Sequence, residues 1–522
     1  MDRTPQRLAG LTIPLFSLRT DRSMGIGEIL DLADAGPLGL RAGLRLIQLL
    51  PIGELSGGET SPYGALSAFG IDPVYISWSA EPDLSPDLLD ELRPTIESLR
   101  ASPTVDYEGV RALKRRLLDE AFKVFSARHL AENTDRARDF HAFVRTHGEW
   151  LWDLSLFRAL KDEHDNAPWW EWAAALRDRD AIQLEHASAR LRDAIHRYQY
   201  AQWIAHSQWS EARARLEELG VSLMGDLPFM VGRDSADVWA KREEFRHDAS
   251  VGVPGDQFNE EGQEWGLPPY NWAVMRTNGF RWLRARARYA GMLGNRFRVD
   301  HLVGFYRTYS RPLDRLRSSD GKLLPGSFDP PTEAEQLAHG EAVLRAMMEG
   351  AGEHDARVIA EDLGVVPDYV RPSLLALGIP GYKVLRWEQD QGRFRDPKAY
   401  PRVSVACFGT HDTDPVASWW QSMPDWERKA AARDFGIPTA EPWWSDDVHD
   451  ALLRGLLGAS GDLALLMWQD VLGTFDRINT PSTVGPHNWT WRMPATIEAT
   501  LSDESLHPAL DRVRRAVERS DR

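Results

Sequence analysis

The sequence contains very little cysteine, since Cys407 is the single one among 522 residues. No disulfide can therefore form within the chain, and a zinc site made of several cysteines is excluded. A chain without disulfides fits a reducing compartment. The first residues, MDRTPQRLAGLTIPLF, place charges and prolines where a signal peptide has an apolar core, and no run of about 18 apolar residues occurs. We therefore expect a soluble cytoplasmic protein that does not enter a membrane.

Basic residues are the minority among the charged ones. The formal charge is -16, from 62 Lys and Arg against 78 Asp and Glu. No run of basic residues resembles a nucleic-acid-binding surface, so we expect no nucleic-acid partner. P-loop, HExxH and EF-hand motifs are also missing, and GIGEIL (25–30) lacks the third glycine of a dinucleotide-binding fingerprint.

Eight short apolar runs end in polar or charged residues, a pattern typical of buried strands. Helical patterns lie between many of them, for example over 279–292 and 334–350. This alternation indicates an α/β fold with a parallel sheet, and about eight units favour a (β/α)8 TIM barrel, whose active site lies at the carboxyl ends of the strands. The predicted strands are 11–16, 44–51, 221–228, 297–301, 357–364, 382–388, 403–412 and 463–470.

The gaps between the predicted strands are uneven. No strand pattern occurs between 80 and 220, where helical stretches cover 106–131, 137–160 and 185–219. We interpret 81–199 as a helical subdomain inserted into a barrel formed by 1–80 and 200–522. The segments 229–275 and 304–333 are rich in Gly, Pro and Asp without clear periodicity, and for them we predict irregular functional loops.

The chain has 21 tryptophans, which is a high count. The simpler explanation is a large core with aromatic filler. The other is a sugar-binding cleft, because aromatic faces stack on the apolar faces of pyranose rings. Composition alone favours the first.

Carboxylates follow four of the predicted strands: Asp226, Asp300, Glu361 and Asp412. For any one of them, a helix cap or a salt bridge is the commoner explanation. In a barrel, however, the four would converge on one rim, and converging desolvated carboxylates are costly unless they are used or paired. Arg298 shares a strand face with Asp300 and would hold it ionised and oriented.

Paired carboxylates suit glycoside chemistry, in which one attacks the anomeric carbon and the other donates and then accepts a proton. A retaining mechanism needs them about 5–5.5 Å apart, which adjacent strands about 4.8 Å apart can provide. A metal site that includes His301 and His411 is the alternative, but no pair of residues has dedicated ligand spacing. We expect no metal and no cofactor.

The order of the motifs resembles that of the amylomaltases, the 4-α-glucanotransferases of glycoside hydrolase family 77, which are related to the α-amylases. The resemblance covers most of the chain. It is based on GIGE (25–28), QLLPIG (48–53), SPYGALSAFGIDP (61–73), WLWDLSLFRALK (150–161), GDLPFMVGRDSADVWA (225–240), VPGDQF (253–258), GQEWGLPPYNW (262–272), RVDHLVGF (298–305), IAEDLG (359–364), GTHDTDP (409–415), QDVLG (469–473), RINTPST (477–483) and NWTWR (488–492).

The resemblance implies a role for each matching residue. Asp300 would be the nucleophile, Glu361 the general acid/base, and Asp412 the acid that binds the sugar hydroxyls beside the cleaved bond. The other implied substrate-binding residues are Tyr63 in the donor subsite, Asp226 at the base of the site, Phe258 and Trp265 on the acceptor side, and Arg298, His301 and His411 around the nucleophile and sugar. The segment 229–275 would cover the cleft. For Arg477 and Asn479 we expect only a structural role.

The chain departs from the family pattern on the donor, acceptor and lid segments. SPYGALSAFGIDP replaces SPYQS…SAFAGNP, and Gly255 and Gln257 replace the proline and tyrosine of PDYF. Leu267 occupies the position of the amide residue in the family's WGNP, and Thr413 occupies the last position of the family's HDN. The three catalytic acids are intact, so these changes bear on substrate length and on the ratio of transfer to hydrolysis.

Three functions remain open. The first is a glucanotransferase that moves α-1,4-glucan segments between maltooligosaccharides, with glucose as an acceptor. The second is a retaining α-1,4-glucan hydrolase on the same fold. The third is a non-catalytic glucan-binding protein, which predicts the loss of at least one of the three acids, and none is lost.

Overall fold

The computed structural model describes residues 7–255 and 260–522. Its strands are β1 (Leu8–Thr12), β2 (Leu46–Gln48), β3 (Ser222–Leu227), β4 (Ala249–Val253), β5 (Gln263–Glu264), β6 (Arg296–Val299), β7 (Thr308–Pro312), β8 (Ser327–Asp329), β9 (Arg357–Ala360), β10 (Gly381–Val384), β11 (Gln389–Asp390), β12 (Arg393–Phe394), β13 (Ser404–Cys407) and β14 (Leu463–Met467).

Eight of these strands form a closed parallel barrel in the order β1-β14-β13-β10-β9-β6-β3-β2. Barrel strands that are consecutive in the chain are neighbours in the barrel, and helices connect them. This is the (β/α)8 arrangement. The predicted fold class is therefore confirmed, and each barrel strand overlaps one predicted apolar run.

The first predicted strand is displaced. We predicted 11–16, whereas β1 covers Leu8–Thr12 and a short 3-10 helix follows at Leu15–Ser17. Pro14 lies between them, and proline cannot donate a backbone hydrogen bond to a strand ladder. The apolar residues of the sequence extend beyond the end of β1, because Leu15 and Phe16 of the 3-10 helix are also buried, in the layer outside the barrel.

Alternate residues of the barrel strands face two different cores. Phe297 and Val299 of β6 pack outward in a cluster with Leu283 and Ala287, as the alternation predicts. The barrel interior is filled by side chains of the opposite parity, namely Leu8, Leu46, Met224, Ile359, Tyr382, Val384, Val405, Cys407, Leu463 and Leu465. Arg298, between the two outward residues, therefore faces the interior.

The α-helices of the described residues are α1 (Asp31–Arg41), α2 (Pro86–Ala101), α3 (Tyr107–Phe125), α4 (Asp135–Thr146), α5 (Gly148–Glu163), α6 (Ala174–Arg177), α7 (Ala181–Arg190), α8 (Arg192–Glu218), α9 (Ala236–Ala240), α10 (Trp272–Thr277), α11 (Arg281–Leu293), α12 (Val303–Tyr306), α13 (Glu333–Gly352), α14 (Val370–Leu377), α15 (Val416–Ser422), α16 (Asp425–Phe435), α17 (Asp446–Leu457), α18 (Trp468–Leu472), α19 (Ile497–Ser502) and α20 (His507–Arg519).

The region between 80 and 220 is helical, but its helices differ from those predicted. The predicted helix 137–160 is two helices, α4 and α5, which meet at His147. The predicted helix 185–219 is likewise divided, at Leu191. Helix α2 was missed, although Ser85 caps its first turn and a proline follows the cap. Since α8 continues through residue 199, the boundary of the inserted subdomain stays a prediction.

The segments 229–275 and 304–333 contain more regular structure than we predicted. A four-stranded antiparallel sheet, in the order β5-β4-β7-β8, joins them. The prediction of irregular loops was wrong here because these strands are short, and the pairing of β4 with β7 joins residues about sixty positions apart in sequence. None of the helices in the described ranges is long and apolar enough to cross a membrane.

Candidate active site

Asp226, Arg298 and Asp300 form the base of a polar site at the carboxyl ends of β3 and β6. Asp226 pairs with Arg298 in the ladder between these strands, and the backbone N–H of Asp300 continues the ladder to the carbonyl of Leu227. Arg298 Nη1 donates to both carboxylate oxygens of Asp226, at 2.9 and 2.7 Å, and Nη2 donates to Asp300 Oδ1 at 2.7 Å. The predicted pairing of Arg298 with Asp300 is therefore present.

Arg298 stays protonated although its side chain is buried. The residue is only 3% exposed. Burial alone would lower its pKa, but Asp226 and Asp300 raise that pKa well above its ordinary value. A permanent cation thus lies against the Asp300 carboxylate, whose side chain keeps 28% exposure toward the cleft.

Tyr63 connects this base to the segment that follows β13. Its hydroxyl donates to Asp226 Oδ2 at 2.8 Å and lies 3.0 Å from His411 Nε2. The Tyr63 and His411 rings are stacked, with centroids 5.6 Å apart. His411 Nε2 lies 3.4 Å from a carboxylate oxygen of Asp412, so the polar network extends to the third predicted acid.

Glu361 comes directly after β9, the strand beside β6. The register pairs Val299 with Ala360, and the Glu361 backbone N–H donates to the carbonyl of Val299. Burial raises the pKa of Glu361 to about 7, with a further rise from Asp300 and an opposing effect of Arg298. Two carboxylates with different environments therefore follow adjacent strands, which is the arrangement that separates an acid from a nucleophile.

His301 turns the chain at the end of β6. Its φ is 41°, in the left-handed region of backbone conformation that residues other than glycine rarely adopt. Its backbone N–H donates to Glu361 Oε2 at 2.8 Å. Its ring meets Phe229 edge-on at 5.5 Å and Trp265 edge-on at 5.2 Å, and burial lowers its pKa.

Asp412 is more exposed than Asp300, with 42% of its side chain exposed against 28%. Asn479 Nδ2 donates to its Oδ1 at 2.6 Å, and Arg477 Nη2 donates to its backbone carbonyl at 2.8 Å. Arg477 also pairs with Asp414 at 2.7 Å. Asn479 and Arg477 thus fix the orientation of an acid at the cleft.

The structure brings nine of the ten predicted site residues into this one network of contacts. Trp265 joins it through the edge of His301. Phe258, the tenth, lies outside the described residues, as does Gln257.

Sequence reasoning missed some neighbours of the site. Trp489 packs on Tyr63 at 5.8 Å and on His411 at 5.7 Å, from a backbone with φ 63°. Deeper in the barrel, Gln48 Nε2 donates to the Tyr382 hydroxyl at 3.2 Å. The NWTWR motif was a signal for Trp489, whereas Gln48 and Tyr382 become neighbours only when the barrel closes.

The described part of the chain contains no cluster of three or more His, Cys, Asp and Glu side chains that could hold a metal ion. Arg298 donates to two of the carboxylates, those of Asp226 and Asp300. Carboxylates that follow adjacent strands of a closed (β/α)8 barrel, at its carboxyl end, are typical of barrel enzymes that cleave glycosidic bonds.

Comparison with known proteins identifies the family. Residues 13–498 match the profile of glycoside hydrolase family 77, described as 4-alpha-glucanotransferase. The chain is 30% identical to the 4-alpha-glucanotransferase of Chlamydia pneumoniae, over 97% of this chain and 94% of that protein. It is 33% identical to that of Thermus thermophilus, over 87% and 88% of the two chains. The chain therefore belongs to family 77, the 4-α-glucanotransferases, and is a glycosyl-transferring enzyme.

A solved structure agrees over the whole length. The amylomaltase from Streptococcus agalactiae, in complex with acarbose, has a TM-score of 0.81 at 25% identity and covers 98% of this chain and 99% of that chain. The resemblance that the motifs indicated is confirmed.

Proposed function

We propose that the enzyme transfers α-1,4-glucan segments between maltooligosaccharides, with glucose as an acceptor, by a retaining double displacement. The observation that carries this proposal is the pair Asp300 and Glu361, in which the first carboxylate is held by Arg298 and the second has a pKa raised to about 7. Family membership supports the substrate class.

In the first half of the reaction, an oxygen of Asp300 attacks the anomeric carbon. The bond from that carbon to the glycosidic oxygen breaks, and the protonated Glu361 gives its proton to the departing oxygen. The products are a glucan with a free 4-hydroxyl and a glycosyl ester on Asp300. Arg298 holds Asp300 through a hydrogen bond of 2.7 Å and aims it before the attack.

In the second half, Glu361 acts as a base. Esterification removes the negative charge of Asp300, which is one of the causes that raise the pKa of Glu361. That pKa therefore falls, and the carboxylate accepts the proton of the incoming 4-hydroxyl. The acceptor oxygen binds the anomeric carbon as the ester bond breaks, so the configuration is retained.

The remaining residues bind the sugar. Asp412, oriented by Asn479, accepts hydrogen bonds from hydroxyls beside the cleaved bond. Tyr63 stacks on the donor sugar, and His301 and His411 contact the sugar from either side of the nucleophile. Asp226 supports Arg298 from below. Trp265 lines the acceptor side, and Phe258 is assigned there on the family resemblance alone.

A retaining α-1,4-glucan hydrolase is the second candidate, because hydrolysis shares the first half-reaction. Transfer prevails when the acceptor subsite holds a sugar and excludes water. The apolar ring of Trp265 beside His301 favours transfer.

Incubation with maltotriose separates the two candidates. Transfer gives glucose together with maltotetraose and longer oligomers, whereas glucose and maltose without longer species would identify a hydrolase.

Neither nucleic acid nor membrane has a part in this reaction, and a cytoplasmic location is in keeping with the buried thiol of Cys407.

A further inference from the structure

Arg311, on β7 of the antiparallel sheet, lies outside the network described above. It is only 2% exposed. Its four hydrogen bonds end on backbone carbonyls: Nη1 on Gln263 at 2.6 Å, Nη2 on Val253 at 3.2 Å and on Glu261 at 2.9 Å, and Nε on Leu324 at 2.8 Å. One guanidinium therefore binds three separate stretches of chain.

The three carbonyls of Val253, Glu261 and Gln263 belong to the β4–β5 hairpin, so Arg311 ties both arms of that hairpin to β7. The backbone leaves space for the guanidinium at Gly252, where a Cβ would lie 2.8 Å from Nη1 of Arg311 and 2.0 Å from the Gln263 carbonyl. A cation buried on carbonyls needs acceptors for most of its donors, and Arg311 makes four hydrogen bonds with the five N–H donors of its guanidinium. The fork of Arg can do this and the point charge of Lys cannot.

The hairpin carries Trp265 to the active site. The backbone N–H of Trp265 donates to the Val251 carbonyl at 2.9 Å, and its indole Nε1 donates to Gln263 Oε1 at 3.0 Å. The ring then meets His301 edge-on at 5.2 Å, next to the amide that holds Glu361. A path of direct contacts therefore runs from Arg311 through Gln263 and Trp265 to the acid/base.

We propose that Arg311 is a positioning residue that holds Trp265 on the acceptor side and thereby sets the ratio of transfer to hydrolysis. This inference rests on the proposed transferase function. Without the guanidinium the hairpin separates from β7, Trp265 leaves His301, and water reaches the glycosyl-enzyme in competition with the acceptor sugar. Attack of Asp300 on a glycosyl fluoride needs neither a proton from Glu361 nor a sugar on the acceptor side, so that step keeps its rate.

The test compares Arg311→Met and Arg311→Lys with the control Arg315→Met, whose arginine side chain is 76% exposed in the same region. With maltotriose, we expect the ratio of elongated products to total cleavage to fall roughly tenfold for Arg311→Met, to fall nearly as much for Arg311→Lys, and to stay unchanged in the control. The KM for glucose as acceptor should rise, while the first-turnover burst of fluoride from maltosyl fluoride, which reports glycosylation alone, should keep its rate within about twofold of wild type.

A double-mutant cycle with Trp265→Ala separates positioning from general destabilisation. If Arg311 acts through Trp265, Arg311→Met adds little to the loss already caused by Trp265→Ala. Additive losses, or an unchanged product ratio in Arg311→Met, would overturn the inference. A wild-type enzyme that forms no elongated product would instead overturn the transferase function, so the two failures are distinguishable.

Discussion

The backbone N–H of His301 donates to Oε2 of Glu361 at 2.8 Å, from a residue with a φ of 41°. This hydrogen bond joins the turn after β6 to the end of β9 and fixes the acid/base beside the strand that carries the nucleophile. A left-handed backbone at a residue with a side chain costs on the order of 1–3 kcal/mol. The turn is held in that conformation by Phe229 and Trp265, which pack on the His301 ring.

Activity should depend on the protonation of Glu361. Burial raises its pKa to about 7, and the first half-reaction needs the protonated form. We therefore expect kcat/KM for maltotriose to fall as the pH rises through about 7. In Glu361→Gln, cleavage of maltotriose should fall by about 10²–10⁴-fold, while the first-turnover burst of fluoride from maltosyl fluoride should remain and lack this limb of the pH profile. A limb that persists in the variant would assign it to another group.

The same pKa shift affects stability. The folded-state pKa is about 7 against an ordinary value of 4.5, so between these values the folded protein binds more protons than the unfolded chain. Stability is then highest below the lower value and falls as the pH rises toward the upper one. Urea unfolding should show Glu361→Gln gaining stability relative to wild type from pH 4.5 to 7. A difference that is independent of pH would contradict the raised pKa.

Replacing the nucleophile tests the role of Asp300. Asp300→Asn keeps the shape of the side chain and an acceptor for Arg298 but removes the attacking charge. We expect turnover to fall at least about 10⁴-fold, with binding of maltooligosaccharides retained in calorimetry. Substantial turnover in a preparation free of wild type would exclude Asp300 as the nucleophile.

Asn479 should act through Asp412. Since its Nδ2 lies 2.6 Å from Oδ1 of that acid, Asn479→Ala removes a hydrogen bond to a charged group, and kcat/KM should fall roughly tenfold. In an Asp412→Asn background the same change should have little further effect. Equal losses in both backgrounds would give Asn479 a separate role.

A structural prediction concerns the GIGE motif. Glu28 and Lys114 form an ion pair that is almost completely buried, with side chains 1% and 3% exposed. Glu28 also accepts from the Met24 amide, and Lys114 donates to the Ile76 carbonyl. Lys114→Met leaves a buried carboxylate unpaired and should lower the free energy of unfolding by about 3–5 kcal/mol.

The matched control is Lys123→Met on the same helix, where the lysine side chain is 68% exposed. It should change the unfolding free energy by less than about 0.5 kcal/mol. Similar losses of unfolding free energy in the two variants would show that the buried ion pair contributes no more to stability than an exposed lysine.

Local patterns predicted the barrel strands because each is short, apolar and closed by polar residues. The same reasoning placed Arg298 beside Asp300, since alternation along one strand fixes which side chains share a face. The motif that contains Asn479 was found, but its contact with Asp412 was not, because the two residues lie on different segments of the rim.

The antiparallel sheet could not be predicted in the same way. Ser250 of β4 pairs with Arg311 of β7, a partner that no local pattern specifies. Arg311 binds backbone carbonyls. Every residue has a backbone carbonyl, so the sequence does not indicate which ones an arginine will bind. These contacts of Arg311 are therefore apparent only in the folded chain.

The most direct measurement is the identification of the covalent intermediate. Glu361→Gln can be glycosylated by maltosyl fluoride, and it lacks the base that the second half-reaction needs. Rapid quenching, proteolysis and mass spectrometry should find a maltosyl group on the peptide that contains Asp300. A maltosyl group on another side chain, or fluoride release without any labelled peptide, would contradict the proposed mechanism.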